Sequence, residues 1–343
     1  MRLLQRAHMV LASVLHYYAH SIPPAEAGNR ISIPRPLAVP LVEISNALGL
    51  PPVLTFADIV LWNWDFINPD LPLSVDNMRH LVIFSGTTAE DEFYHASAAA
   101  ELKGVEMLKI MEGFMNMPNL TDRWAIAKVA RDLERLKKII EEIEVIVQGS
   151  RETVDPHIFY WLVRPWWSGS EERSPWVYEG VPDCPLPDLD GPSAGQSSVM
   201  HALDLFLDVD HTLQKKRQPA PSAQNRRADQ RFMERMRRYM PRQHRDYLSC
   251  IAARSIRQVA ERTPSLKDPY NAAVAALKKF RDGHIRIAVL YVVTMANSSP
   301  PAGFEHRAKR HGEETGPARG SGGTEVSNLL KAGRDATQRT LLK

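Results

Sequence analysis

The chain has 343 residues, of which 44% are hydrophobic and 24% are charged, and its net charge is +3. This length supplies one large domain or two smaller ones, and so mild a charge argues against a nucleic-acid-binding protein. The two cysteines, Cys184 and Cys250, exclude a disulfide scaffold and indicate a reducing compartment, so we expect a cytoplasmic protein. No apolar run approaches the roughly 20 residues of a membrane span, and we expect no membrane partner.

The first quarter of the chain alternates apolar stretches with proline-rich connections. Residues 1–21 lack acids and carry two arginines, as transit peptides do, but their apolar stripe favours a buried helix. Five prolines between residues 21 and 40 predict an irregular connection. We predict a short helix over Leu41–Leu48, ended by Gly49, and then a buried helix over VLTFADIVLWNWDFIN.

Helical patterns fill the remainder. Thr88 and Asp91 form a predicted capping box at the start of a helix that ends near Met117. Further helical patterns cover residues 122–148, 156–164, 196–210, 230–261, 268–296 and a last stretch from 325. Two polar or glycine-rich segments, about 214–229 and 298–324, are predicted to be mobile loops, and the first, although basic, is better explained as a solvated loop than as a nucleic-acid arm. No alternation typical of strands competes, so the predicted fold class is all-α.

A single histidine lies in the middle of an apolar helix face. On a helical wheel of residues 268–297, His284 falls on the same side as Phe280 and Tyr291, and the charged residues fall opposite. A neutral imidazole is a common axial ligand of haem iron, and Gly283 beside it leaves the backbone open to a flat ligand. A core histidine that bonds a backbone carbonyl explains the same pattern and is the commoner case. The pattern alone leaves both readings open.

Three other places combine polar groups with apolar surroundings. Ser97 shares a helix face with Phe93 and several alanines, which suits either a close helix or a flat cofactor. Arg164 is a permanent charge among aromatic residues, so it needs an internal carboxylate or the carboxylate of a ligand. Phe159 lies five residues earlier, where it could stack on an aromatic ligand. The Gly191–Ser198 turn resembles an anion site but lacks the ending of a P-loop.

Seven motifs, in this order, carry a family resemblance. They are PRPLAVP (34–40), LPPVLTFADIVLWNW (50–64), FYHAS (93–97), SAGQSS (193–198), MRRYMP (236–241), His284 in its helix, and GSGGTEVSNLL (320–330). Over nearly its whole length the chain resembles the indoleamine 2,3-dioxygenase family of haem enzymes. The resemblance implies a helical bundle that encloses haem b. It implies a small N-terminal helical domain over 1–86, lacking its leading helices, and a large haem-binding domain over 87–343.

The resemblance also implies a role for each matching position. His284 is expected to be the proximal ligand of the haem iron. The residues expected to line the substrate pocket are Phe93, Tyr94, Ser97, Phe159, Arg164 and Thr324. Among them, Phe159 is expected to pack on the indole and Arg164 to pair with the substrate carboxylate. Further contacts with the haem are expected from Ser193, Ala194 and Arg281, the last of them through a propionate.

The implied reaction is the cleavage of the indole C2–C3 bond of L-tryptophan by O₂ to give N-formylkynurenine, the first step of tryptophan catabolism. It needs an electron donor that keeps the haem ferrous, and no side chain acts as acid or base because the cofactor performs the chemistry. We expect a monomer. Two alternatives stay open: a haem-binding paralogue that acts as a haem or redox sensor, which Pro192 in place of an expected Gly supports, and a helical scaffold that binds partners through residues 214–229.

Overall fold

The computed structural model describes residues 1–22, 30–170, 174–182, 189–211, 232–304 and 326–343. In these ranges the chain forms eleven α-helices and four strands of three residues each, which confirms the all-α prediction. The helices are α1 (Arg2–Ser21), α2 (Arg35–Leu48), α3 (Thr88–Met115), α4 (Arg123–Thr153), α5 (Pro156–Ile158), α6 (Ser198–Phe206), α7 (Phe232–Arg237), α8 (Arg242–Ala252), α9 (Ile256–Arg262), α10 (Pro264–Ala288) and α11 (Val326–Arg339). None of these helices combines the length and the apolar character needed to cross a membrane.

The strands form two small pairs that close loops of the helical fold. They are β1 (Ile31–Ile33), β2 (Trp64–Phe66), β3 (Met78–His80) and β4 (Trp176–Tyr178). Strand β1 pairs with β4 in parallel, and β2 pairs with β3 antiparallel. The pairing of β1 with β4 joins an early connection of the chain to a much later one.

Helix α3 is capped one residue before the predicted position. Thr87 is the N-cap, and its hydroxyl accepts the N–H of Glu90 at 3.4 Å. The Glu90 carboxylate reaches back to the N–H groups of Phe84 and Ser85, at 2.9 and 2.6 Å. Thr87 therefore caps the helix, and the Glu90 carboxylate binds the backbone two and three residues before the cap, whereas Asp91 pairs with His80 at 2.7 Å.

One hydrophobic core lies between the long helices. Helix α4 packs along both α3 and α10, and α11 covers α10. Helix α6 crosses α3 at Gly104, where an added Cβ would lie 2.3 Å from Cγ1 of Val199. At this point the small-residue face of α3 accommodates a neighbouring helix.

A second core contains residues from both predicted domains. Leu15 of α1 and Leu41 of α2 are fully buried in it together with Tyr94 of α3. Phe159 and Trp167, much later in the chain, belong to the same cluster. The N-terminal segments are therefore packed directly against the part of the chain that carries the candidate site.

The predicted helix over VLTFADIVLWNWDFIN is wrong. Only Ala57–Leu61 is helical, as a single π turn, and β2 follows it. The buried Asp58 carboxylate accepts both the N–H and the hydroxyl of Thr55, at 2.8 and 2.7 Å, and pairs with His8 at 2.7 Å. Such side-chain bonds to nearby backbone compete with helix formation, and the periodicity of apolar residues does not show them.

Prolines explain two further differences in helix boundaries. Helix α2 begins at Arg35 rather than at Leu41, with Pro36 in its first turn, where a proline is tolerated, and Pro40 inside it, and Gly49 ends it with φ at 70°. The helix predicted over 230–261 is broken into α7, α8 and α9, with Pro241 as N-cap of α8 and Ser255 as N-cap of α9. The segment 214–229 and most of 298–324 lie outside the described residues.

Two helices near the candidate site continue as wider turns. Helix α5, capped by Asp155, passes into a π turn over Phe159–Val163 and a 3₁₀ turn over Arg164–Trp167. Helix α10 passes into a π turn over Val289–Thr294. π turns within helices occur often at functional sites, and these two contact each other.

Candidate functional site

His284 lies on α10 with an imidazole that the described residues leave without a hydrogen bond. The ring is partly buried and stacks on Phe280, with 6.3 Å between centroids and 7° between planes. Burial, and then the nearby charge of Arg281, lower the pKa of His284. The imidazole is therefore neutral, with a nitrogen lone pair that is available to a metal. The described residues provide no carbonyl partner of the kind that a core histidine would need.

Gly283 has a different explanation from the expected one. An added Cβ at this position would lie 2.5 Å from Nε2 of Gln148 and 3.7 Å from Oε1 of Glu144. Both side chains belong to α4. The glycine lets α4 approach α10 closely, so it is no evidence for a flat ligand.

Arg281 binds an internal carboxylate. Its Nη2 donates to both oxygens of Asp204, at 2.5 and 2.6 Å, and its Nη1 donates to the carbonyl of Gly333 at 3.1 Å and to the hydroxyl of Thr337. Burial alone raises the pKa of Asp204, but Arg281 and then His211 lower it below its usual range. Arg281 is thus paired with an internal carboxylate, and its expected contact with a haem propionate stays a prediction. Sequence inspection missed Asp204 because it lies 77 residues away.

Four aromatic residues meet where α3 passes the two π turns, and we call them the aromatic cluster. The ring centroid of Phe159 lies 4.9 Å from Phe93, 5.6 Å from Trp167 and 5.6 Å from Tyr291. Phe93 and Trp167 are 5.2 Å apart. The structure thus brings Phe93 and Phe159 together, and it adds Trp167 and Tyr291, which the resemblance did not assign. The only sequence signal for Trp167 is the density of aromatic residues in IFYWLVRPWW.

Tyr94 supports the aromatic cluster from behind. Its side chain is 0% exposed, and its ring stacks on Trp167 at 6.0 Å. Its hydroxyl donates to Glu90 at 2.7 Å and accepts the indole N–H of Trp167 at 3.2 Å. In this structure Tyr94 supports the aromatic cluster, and its expected place in the substrate pocket stays a prediction.

Three polar residues were also expected at the substrate, and the structure describes two of them, Ser97 on α3 and Arg164 in the 3₁₀ turn after α5. Ser97 is partly exposed one helical turn after Phe93, and it makes no hydrogen bond to the described residues. The guanidinium of Arg164 lies 5.0 Å from the ring centroid of Tyr160, a cation–π contact. Thr324 lies outside the described residues.

The SAGQSS motif forms a 3₁₀ turn over Ala194–Gln196 ahead of α6. The Ser193 hydroxyl accepts the N–H of Gly195 at 3.2 Å, and the small side chain of Ala194 is exposed. The Gln196 amide fixes the turn, since it accepts the N–H of Phe56 and donates to the carbonyl of Gly191, both at 2.8 Å. Sequence inspection did not identify this role of Gln196.

Comparison with known proteins decides the family. The sequence profile of the family described as Indoleamine 2,3-dioxygenase matches residues 1–340. The chain belongs to the indoleamine 2,3-dioxygenase family. Rat indoleamine 2,3-dioxygenase 1 is 32% identical over 99% of this chain and 80% of its own length. The indoleamine 2,3-dioxygenase of Saccharomyces cerevisiae is 28% identical over 99% of this chain and 78% of its own length. A Haliotis madaka protein named myoglobin is 29% identical over 97% of this chain and 80% of its own length.

Membership of the indoleamine 2,3-dioxygenase family makes this chain an oxidoreductase of the dioxygenase class, in a family that is haem-dependent. The described residues fit a haem. His284 offers a neutral nitrogen without a hydrogen-bond partner among the described residues, and Ser97 and Phe93 of α3 keep accessible surface. Ala194 presents a small exposed side chain on a fixed turn. These are the donor and the surfaces that a planar cofactor needs.

Proposed function

We propose that this protein is a haem-dependent dioxygenase that uses O₂ to cleave the indole C2–C3 bond of L-tryptophan, giving N-formylkynurenine. The observation that carries the proposal is the neutral imidazole of His284, which has no hydrogen-bond partner among the described residues. It lies on the helix whose continuation brings Tyr291 against Phe159. Family membership supports the reaction class.

His284 would hold the iron of haem b through one imidazole nitrogen, with Ser193 and Ala194 along the face of the ring. When bound, the haem supplies the activation of O₂, for which no protein side chain is suited. Close packing of α10 against α4 at Gly283 would hold in place the helix that carries the imidazole, and the ring stacks on Phe280. The protein's task is to bind, to orient and to exclude water.

The substrate would be held at both of its ends. Phe159 and Phe93 would contact the indole, since aromatic rings at these separations pack favourably. Arg164 would pair with the carboxylate, because a guanidinium is always charged and matches a carboxylate with two donors. Thr324 would contact the amino-acid end of the substrate, and Ser97 would supply a hydroxyl above the haem. Held at both ends, the indole presents its C2–C3 edge in one orientation.

The proposal includes the location, the oligomeric state and the electron supply of the protein. Cys250 is a free, exposed thiol, which supports a reducing location, and we propose the cytoplasm. The acting unit would be a monomer, with L-tryptophan and O₂ as substrates and a separate electron donor that keeps the haem reduced.

The test compares His284→Ala with His157→Ala, which removes a histidine whose Nε2 contacts the Ser299 carbonyl at 2.7 Å. Each protein is loaded with haem, reduced without air, and then given tryptophan and air. We expect the parent protein and His157→Ala to show a Soret band and to form N-formylkynurenine, and His284→Ala to lose both. An unchanged Soret band in His284→Ala would refute the ligand assignment. A Soret band without product in the parent protein would favour a haem sensor.

A second variant separates substrate binding from haem binding. Arg164→Ala should keep the Soret band and lose most of its affinity for tryptophan. Its affinity for indole, which has no carboxylate, should stay the same. Equal loss of affinity for both compounds would contradict the carboxylate assignment.

A further inference from the structure

A cavity of about 320 Å³ lies against a different face of α3 from the one that carries Phe93 and Ser97. Val60 and Trp64 line it from the N-terminal segments, and Val105 of α3 and Tyr247 of α8 lie at its rim. Its volume is at the lower end of the range for small-molecule sites, about 300–1,000 Å³. It shares no residue with the site proposed for tryptophan and haem.

The wall of this cavity is apolar except for a few polar groups. The Oε1 atom of Glu101 accepts the Ser197 hydroxyl at 2.5 Å, and its Oε2 atom has no hydrogen bond to the described residues. Nδ1 of His244 lies 2.9 Å from the Ser198 hydroxyl, and its Nε2 has no hydrogen bond to the described residues. Two polar side chains in an apolar cavity thus keep one free polar atom each. This is the usual composition of a ligand site.

The charges of the two side chains favour one kind of head group. Burial raises the pKa of Glu101 to about 7, although the bond from Ser197 opposes this shift. Burial also lowers the pKa of His244, so that ring is neutral and offers no positive charge to an anion. A cation beside Glu101 would stabilise the carboxylate in its charged form.

We propose that the cavity is a second ligand site, which takes a small molecule with an apolar body and one amine head that binds the Glu101 carboxylate. The apolar body would lie against Val60, Trp64 and Tyr247. A carboxylate head of the same size would bind less tightly, because it would lie beside an acid and beside no cation among the described lining residues. This site is separate from the proposed dioxygenase reaction.

Calorimetry on the haem-loaded full chain tests the proposal with two probes of similar size and opposite charge, 2-phenylethylamine and 3-phenylpropanoate. We expect the amine to bind at least about tenfold more tightly than the carboxylate, a difference of roughly 1.4 kcal/mol. Glu101→Gln should remove this preference. Equal binding of the two probes, or no binding of the amine, would overturn the proposal.

A cavity-filling variant with a matched control locates the binding. Val105 is 42% exposed at the rim, so Val105→Trp can fill the cavity without disturbing the core. Val145→Trp makes the same change at a residue of α4 that is 72% exposed and outside the cavity. We expect the first variant to lose amine binding and the second to keep it. Amine binding that survives Val105→Trp would place the probe elsewhere and refute the site.

Discussion

Nη2 of Arg281 lies 2.5 and 2.6 Å from the two carboxylate oxygens of Asp204. This pair joins α10, which carries His284, to α6, which directly follows the Ala194–Gln196 turn. Asp204 is buried and Arg281 is nearly so, and the second guanidinium nitrogen bonds α11. The ion pair therefore holds together three elements around the candidate site.

Removal of the Asp204 charge should destabilise the folded protein. Asp204→Asn leaves the Arg281 guanidinium buried without its counter-charge, and we expect the free energy of unfolding to fall by about 3–5 kcal/mol. The control is Asp282→Asn, which removes an ion pair with the partly exposed Lys278 at 2.9 Å. Loss of this exposed pair should lower the free energy of unfolding by about 1 kcal/mol or less. Denaturant unfolding of both variants provides the measurement. Equal effects would show that the buried pair does not support the fold.

Gly104 should not tolerate a side chain. Gly104→Ala places a methyl group 2.3 Å from Cγ1 of Val199, and we expect a loss of about 1–3 kcal/mol in unfolding free energy. Combination with Val199→Ala should give a smaller loss than the sum of the two single changes, because the clash is then removed. At Gly149 of α4, where an added Cβ would meet no other side chain or element of the described residues within 4 Å, the same change should stabilise the protein by about 0.5–1 kcal/mol. Additive losses at Gly104 and Val199 would contradict the close approach of α3 and α6.

The hydroxyl of Tyr94 should matter for stability. Tyr94→Phe leaves the indole N–H of Trp167 without its acceptor and Glu90 without one donor, so we expect a loss of about 1–3 kcal/mol in thermal or denaturant unfolding. Tyr17→Phe is the control, because its hydroxyl bonds the Ile83 carbonyl at a site that is 37% exposed. If Tyr94→Phe unfolds like the parent protein, the hydroxyl is not what anchors Trp167.

Glu101 should make stability depend on pH. Its pKa is about 7 in the folded protein against an ordinary value of 4.5, so the folded state binds more protons between these pH values. The free energy of unfolding should therefore fall as pH rises from 4.5 to 7, by up to about 1.4 kcal/mol per pH unit. Glu101→Gln should flatten this slope and be more stable than the parent protein above pH 7. The exposed Glu134→Gln serves as control, and an unchanged slope in Glu101→Gln would contradict the assignment.

Features of the site that depend on one helix are predictable from sequence. The apolar face around His284 follows from a period of 3.6 residues, and Leu277 and Tyr291 on that face are indeed buried. The cap at Asp155 is also local, since its carboxylate binds residues two and three positions later. Both need no information from elsewhere in the chain.

Features that depend on distant partners are not predictable in this way. Nothing near Arg281 in sequence indicates that Asp204 is its partner, and a guanidinium suits a propionate and an internal carboxylate equally well. Tyr94 and Phe93 are adjacent in sequence, yet one is fully buried and the other is partly exposed. Which of two neighbouring rings faces a ligand is decided by the elements that pack on the helix.

The two π turns have a consequence for deletions in this chain. In a π turn each N–H bonds the carbonyl five residues back, so the turn accommodates one residue more than a turn of α-helix. Phe159 and Tyr291 lie in these turns and touch each other, with 5.6 Å between ring centroids. Deletion of one residue from either turn would replace it by regular α-helix and move its side chains, so the meeting of the two rings depends on both turns being kept at full length.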